Sequence, residues 1–138
     1  MQKPKTIIVD IDGTLAKMNG RGPFEWARVG EDLCKERIKD IVNLHHENGY
    51  TVILFSGRDA ICRPQTEQWL LDHGIQYQAL YMRPMGNNEK DNVVKERMYR
   101  KYIEAYLDVR FVLDDRDQVV KMWREIGLTC LQVDYGNF

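Results

Sequence analysis

Asp10 and Asp12 stand two positions apart in Ile7-Ile8-Val9-Asp10-Ile11-Asp12-Gly13-Thr14-Leu15, at the end of an otherwise apolar run. Burying one unpaired carboxylate is costly, and two side by side repel each other. Residues two apart in an extended chain point to the same side, so the two acids share one space while Ile11 faces the core. A second pair, Asp114 and Asp115, follows another apolar run, Arg110 to Leu113. Carboxylates gathered in this way need a cation, and Mg²⁺, a hard divalent ion with oxygen ligands, suits them. Magnesium commonly carries a phosphate, and other residues offer phosphate ligands. Ser56 brings a hydroxyl and backbone N–H groups near an expected helix start. Arg58 brings a bidentate fork, and a lysine from a long helix adds a point charge.

Hydrophobic rhythm supplies the elements that position these groups. Lys5 to Ile11, Tyr50 to Phe55, Tyr77 to Met82, Arg110 to Leu113 and Thr129 to Val133 read as strands. Residues 28–48, 65–73, 88–107 and 118–126 read as helices, with Gly49, Gly74 and Gly127 as stops. The alternation predicts an α/β fold, a five-stranded mainly parallel sheet with helices on both faces. Ligands in such sheets lie at the carboxyl ends of the strands. Asp10, Asp12, Gly13 and Thr14 fall there after strand one, and Ser56, Gly57 and Arg58 after strand two. Arg83 follows strand three, and Asp114, Asp115 and Arg116 follow strand four.

Composition narrows the class. The chain has 138 residues, 43% hydrophobic and 30% charged, with a formal net charge of −1. That predicts one globular domain over 1–138, without linker, repeat or disordered tract. No apolar run approaches a membrane span and MQKPKT lacks the apolar stretch of a signal peptide, so a cytoplasmic protein is expected. Cys34, Cys62 and Cys130 are scattered and fit buried thiols rather than a disulfide frame or zinc site. His45, His46 and His73 fall on helices without metal-ligand company, His45 as core packing.

The motifs DIDGT, SGR, a helix lysine and DD, in this order, resemble those of the haloacid dehalogenase (HAD) phosphatases. The strings DGTLAKMNGRGP, KDNVVKE, DDRDQVVKMWR and YGNF are similar to the 3′-phosphatase domain of phage T4-type polynucleotide kinase-phosphatases. The resemblance spans nearly the whole chain. It implies a Rossmannoid three-layer sandwich with strand order 3-2-1-4-5 and a minimal cap. The implied reaction is Mg²⁺-dependent removal of 3′-phosphate from DNA or RNA ends, with 2′,3′-cyclic phosphate ends left open. Asp10 would be the nucleophile forming an aspartyl-phosphate, and Asp12 the general acid and then base. Asp10, the backbone carbonyl of Asp12, Asp114 and Asp115 would hold Mg²⁺. Ser56 and Lys95 would neutralise the phosphoryl oxygens, with Thr14, Gly57, Arg21, Arg58 and Arg83 as further phosphate or substrate contacts. Asp91, one helical turn before Lys95, would orient its ammonium. No GxxxxGK[ST] occurs, which excludes 5′-kinase activity from this chain. A kinase or ligase, as partner domain or protein, is the implied company.

Two other readings remain open on the residues alone. A general phosphomonoesterase or 3′-nucleotidase would use the same chemistry. A phospho-acceptor receiver module also uses acids, a Ser/Thr, a lysine and Mg²⁺, but requires an acceptor Asp after strand three. Here that strand ends in Met82-Arg83-Pro84. Only residues 16–26 are available as a cap after the first strand, which suits a bulky polymer end. Lys17, Arg21 and Arg28, with Arg83, Lys90, Lys95, Arg97, Arg100 and Lys101, predict weak, salt-sensitive contact with terminal nucleotides. Phe24, Trp26 and Tyr81 are the aromatics available to stack on a base, although packing is the commoner fate of such residues.

Overall fold

The computed structural model describes residues 2–138. Its opening run forms β1 (Lys5–Asp10), followed by the short strands β2 (Ala16–Lys17) and β3 (Leu33–Cys34). Next come α1 (Glu36–Glu47), β4 (Thr51–Asp59), α2 (Arg63–Asp72) and β5 (Ala79–Arg83). The chain closes with α3 (Asp91–Tyr102), β6 (Asp108–Asp114), α4 (Asp117–Glu125) and β7 (Cys130–Gln132).

The long strands make one five-stranded sheet in the order β5-β4-β1-β6-β7, all pairs parallel. Counting only the expected strands, this is the order 3-2-1-4-5. Alternation along β1 then defines the two faces. Ile7 and Val9 pack with Val42 of α1 and Trp69 and Leu70 of α2. Ile8 packs on the opposite face with Val94 and Met98 of α3 and Val119 and Trp123 of α4. Each fully buried aliphatic side chain contributes about 1.5–3 kcal/mol, so β1 is anchored from both sides. The register sets Asp10 opposite Phe55 and Val9 opposite Leu113. Ser56 and Asp114, one residue further on, therefore flank Asp10 at the carboxyl edge.

Three expected elements differ. The helix over 28–48 is broken: Trp26–Glu31 is a 3₁₀ turn, and Asp32 is extended at φ −62° and ψ 145°. Leu33 and Cys34 then pair antiparallel with Lys17 and Ala16, making a small hairpin beside the site. Helical periodicity carries the reading across this break because Ile38, Ile41, Val42 and His45 keep a helical spacing and Leu33 adds an apolar position ahead of them. Secondly, β4 continues past Phe55 to Asp59, with a register shift against β5 between Ser56 and Asp59. Ser56 therefore lies in a strand, and α2 begins only at Arg63, after a 3₁₀ turn at Ala60–Cys62. Thirdly, α3 spans Asp91–Tyr102 rather than 88–107. Gly49, Gly74 and Gly127 do follow helices, each with the positive φ that such a stop favours.

Candidate active site

Asp10 is 5% exposed, with Lys95 Nζ 2.7 Å from Oδ1 and the Thr14 hydroxyl donating to Oδ2 at 3.0 Å. Oxygens of Asp10, Asp114 and Asp115 lie within 4.8 Å of one another. Burial, then the Asp114 charge, pushes the Asp10 carboxyl well above its ordinary value, despite the opposing Lys95. Asp115 is raised as well, by burial first, while a hydrogen bond with Asp10 works against the rise. Burial disfavours the Lys95 charge, yet Asp10, Asp114 and Asp91 outweigh it and hold its ammonium well above the ordinary lysine range. One lysine thus faces three clustered carboxylates and leaves them short of positive charge. The donor set is all oxygen, which fits a hard divalent ion held by Asp10, Asp114 and Asp115.

The cluster is held by specific contacts. Asp114 Oδ1 accepts from the backbone N–H of Asp115 at 2.9 Å, and Oδ2 from Lys95 at 3.1 Å and Trp123 Nε1 at 3.3 Å. Gly13 has φ +85°, and a Cβ there would come within 2.0 Å of Asp115 Oδ2. Glycine is needed on both grounds, for the turn and for the close approach. Thr14 is fully buried, and its hydroxyl is directed into the cluster, at Asp10, rather than outward.

Asp12 turns away from that cluster, and its carboxylate is not among the grouped oxygens. Arg58 grips it with Nε 3.1 Å from both oxygens and Nη2 2.7 Å from Oδ1, and Arg21 Nη2 lies 3.3 Å away. Its side chain keeps 28% exposure, whereas those of Arg21 and Arg58 have none. The two arginines are joined by Asp32, which takes Arg21 at 2.8 and 2.9 Å and Arg58 at 2.9 Å. The hydrogen bond to Asp32 raises Arg21 further above its ordinary value. Thr66 accepts from Arg58 Nη1 at 3.0 Å, and Trp69 Nε1 donates to the Asp32 carbonyl at 2.8 Å. Arg58, expected as a phosphate fork, is therefore 1% exposed and committed to Asp12, Asp32 and Thr66. Sequence reading missed Asp32, hidden inside the expected helix. Its one signal was an acid just before the apolar Leu33-Cys34, beside Glu31 and within reach of Arg21 and Arg28.

Ser56 Oγ accepts from the Arg58 backbone N–H at 3.1 Å. Among the described residues no acceptor takes its own hydrogen, which is free for a ligand oxygen. A Cβ on Gly57 would lie 2.1 Å from Asp91 Oδ1, so α3 docks directly on this glycine. Asp91 in turn reaches Lys95 at 3.6 Å and Arg83 at 3.3 Å. Arg83 also donates to the Gly57 carbonyl at 2.8 Å and to Asn87 at 3.0 Å. It staples the 84–90 loop to the end of β4. Of the aromatic candidates, Tyr81 stacks on Tyr102 with ring centroids 4.5 Å apart, and Trp26 is half-buried. Phe24 is 80% exposed and meets the Trp26 ring edge-on at 6.0 Å.

Cys62 and Cys130 are buried free thiols and Cys34 is a half-buried one. His45 packs edge-on against Tyr50 and Phe111. Among the described residues, no helix is long and apolar enough to cross a membrane. β5 ends at Arg83 with no acid, against the receiver arrangement.

A parallel sheet of this order, with an Asp-x-Asp at the end of its central strand, defines a phosphatase of the HAD type. The chain superposes on D,D-heptose 1,7-bisphosphate phosphatase from B. bronchiseptica with TM-score 0.66, at 16% identity over 96% of this chain and 82% of that one, a likeness of fold. The profile of the polynucleotide kinase PNKP phosphatase domain matches residues 4–138, and the chain belongs to that family. A chain in the Pnkp1/Rnl/Hen1 RNA repair complex superposes with TM-score 0.96 at 41% identity, over 99% of this chain and 44% of its own length. A putative bifunctional polynucleotide kinase/RNA ligase of Autographa californica nuclear polyhedrosis virus is 30% identical over 131 residues. That match takes in 91% of this chain and 18% of the viral protein, so the chain spans only a minor part of both relatives.

Proposed function

We propose that this domain is a Mg²⁺-dependent polynucleotide 3′-phosphatase that clears DNA or RNA ends through an aspartyl-phosphate on Asp10. The carrying observation is the division of labour between two neighbouring acids. Asp10 is sunk among Lys95, Asp114 and Asp115, while Asp12 is offered at the opening by two buried arginines.

Asp10 attacks phosphorus, the bond to the 3′ oxygen breaks, and Asp12 in its acid form gives its proton to the departing hydroxyl. Asp12 then takes a proton from water as that water attacks the phosphorus of the aspartyl-phosphate. Inorganic phosphate leaves and Asp10 is restored. Lys95 and the Ser56 hydroxyl stabilise charge on the phosphoryl oxygens. Asp10, Asp114 and Asp115 would hold a divalent ion, whose positive charge would favour the ionised form of Asp10 and offset the negative charge of the incoming phosphate. Arg21 and Arg58 fix the direction of Asp12, and Asp91 fixes Lys95. The family match and the small hairpin cap favour a polymer end over an enclosed metabolite. The relatives' names favour operation beside a kinase or ligase in RNA repair.

The deciding experiment compares phosphate release, with Mg²⁺, from matched oligonucleotides carrying 3′-phosphate or 5′-phosphate, beside p-nitrophenyl phosphate. A strong preference for the 3′ end is expected. Equal, slow release from all three would leave a general phosphomonoesterase and remove the polymer-end assignment.

A further inference from the structure

The chain from the end of β7 onward has no part in the chemistry above, yet it is packed against the turn from Asp114, at the end of β6, through Asp115 into α4. A Cβ on Gly136 would fall 1.8 Å from the Asp115 carbonyl oxygen and 2.6 Å from Arg116 Cα. The Gly136 carbonyl accepts from the Asp117 N–H at 2.8 Å, at the start of α4. The Asp114 carbonyl accepts from the Val133 N–H at 3.1 Å. Gln132 Nε2 donates to the Asp115 carbonyl at 2.9 Å and to Asp117 Oδ1 at 2.6 Å. Arg116 donates to the Phe138 carbonyl at 2.9 Å, and its guanidinium lies 5.2 Å from the centre of the Phe138 ring.

One side chain carries this segment across to the other half of the cluster. Lys35 Nζ donates at 2.8 Å to the Gly13 carbonyl and at 2.8 Å to Asp134 Oδ2. Gly13 is the residue whose missing Cβ admits the Asp115 carboxylate. The contacts close a ring from Gly13 through Lys35, Asp134 and Gly136 to Asp115 and back to Gly13. Asp10 ends β1 and Asp115 follows β6, and this ring ties together, outside the sheet, the two loops that leave those strands.

We propose that residues 132–136 and Lys35 form a strap that sets the separation of the carboxylates and thereby the affinity for the divalent ion. Lys35 and Gln132 are positioning residues: neither reaches the carboxylates, and both act through backbone carbonyls of the two loops. The proposal rests on the reading that Asp10, Asp114 and Asp115 hold Mg²⁺.

The test is Mg²⁺ titration of the purified protein by calorimetry, for wild type, Lys35→Met, Lys35→Arg and Gln132→Met. Phosphatase assays over the same Mg²⁺ range run beside it. Loss of an outer partner typically costs about 10–100-fold in metal affinity, so Lys35→Met and Gln132→Met should bind Mg²⁺ about tenfold more weakly. Their turnover should recover at high Mg²⁺ with substrate KM unchanged, and Lys35→Arg should bind like wild type. Melting in EDTA shows that the variants are folded, and Gln132→Met stands in if Lys35→Met is not. Wild-type binding together with unchanged affinity in both variants would overturn the strap. Reduced turnover that Mg²⁺ does not restore would also overturn it, as a merely structural effect. No Mg²⁺ binding by wild type would remove the metal reading itself, and the strap's role with it.

Discussion

Asp10, Asp12, Asp114 and Asp115 were visible at the level of single residues because each pair ends an apolar run. What was not visible is how they divide. Spacing put Asp10 and Asp12 on one side of the chain, and the structure separates their carboxylates by giving each its own cations: Lys95 for one, Arg21 and Arg58 for the other. The first consequence is a pH dependence. Asp10 is raised in the folded state, so between its unfolded and folded values the native form holds more protons than the unfolded one. Stability of the metal-free protein should therefore fall as pH rises through that window, and be fullest on its acid side. Mg²⁺ should reverse the loss, giving a larger melting shift at neutral pH than at pH 5. Equal shifts at both would show that the cluster does not hold the ion. Asp32 leads to a second expectation. Its side chain is fully buried between two guanidiniums, and removing one partner of a buried ion pair costs about 3–5 kcal/mol. Asp32→Asn should lose that order of stability in urea, with turnover falling as Asp12 loses its fixed direction. An unchanged midpoint would mean that Asp12, Thr66 and the Gly22 carbonyl hold Arg21 and Arg58 without the Asp32 charge.

Among the elements, the central sheet was legible and the pieces around the opening were not. β1, β4 and β6 carry consecutive apolar residues because helices cover both faces, and that unbroken run reports strand and layer together. The break at Asp32 left no such trace, since an ion pair formed with residues 11 and 26 positions away decides the local backbone there. The extension of β4 through Ser56 and Gly57 was hidden for a similar reason. Serine and glycine after the apolar run read as the approach to a helix, but here they continue a strand whose register against β5 shifts. The tolerance between β4 and α3 is where this matters. Gly57→Ala would place a methyl 2.1 Å from Asp91 Oδ1, and the acid cannot move without releasing Lys95 or Arg83. Overpacking of this kind costs about 1–3 kcal/mol. The variant should melt lower by that order and lose turnover, with a smaller effect on Mg²⁺ affinity, because Asp91 is outside the carboxylate group. A fully active Gly57→Ala would show that α3 can shift without disturbing Lys95.

For the whole molecule, charge says how a polymer end is held. The basic residues near the opening suggested a modest phosphate-binding surface, and the structure pairs most of them internally. Arg28 lies against Glu25 and Glu31, Arg97 against Glu89, and Arg100 against Glu96 and Glu104. Arg21, Arg58 and Lys95 are buried in the site, and Arg83 is tied to Asp91. Lys17, Lys90 and Lys101 have no acidic partner among the described residues and supply the remaining free charge. With a net charge of −1 there is no long-range field to draw a polyanion in. Recognition then rests on the terminal phosphate and its nearest neighbours, and salt dependence measures their number. Each phosphate neutralised on a single strand contributes about −0.7 to the slope of log affinity against log salt, so two or three contacts give about −1.4 to −2.1. The expected slope for a 3′-phosphorylated oligonucleotide bound to the Asp10→Asn protein lies in that range, and lengthening the strand beyond a few nucleotides should leave it unchanged. A slope steeper than about −4 would require a basic track beyond this domain's opening. The missing charge would then have to come from a partner, since Arg21, Arg28, Arg58, Arg83, Arg97 and Arg100 are already engaged with carboxylates of their own chain.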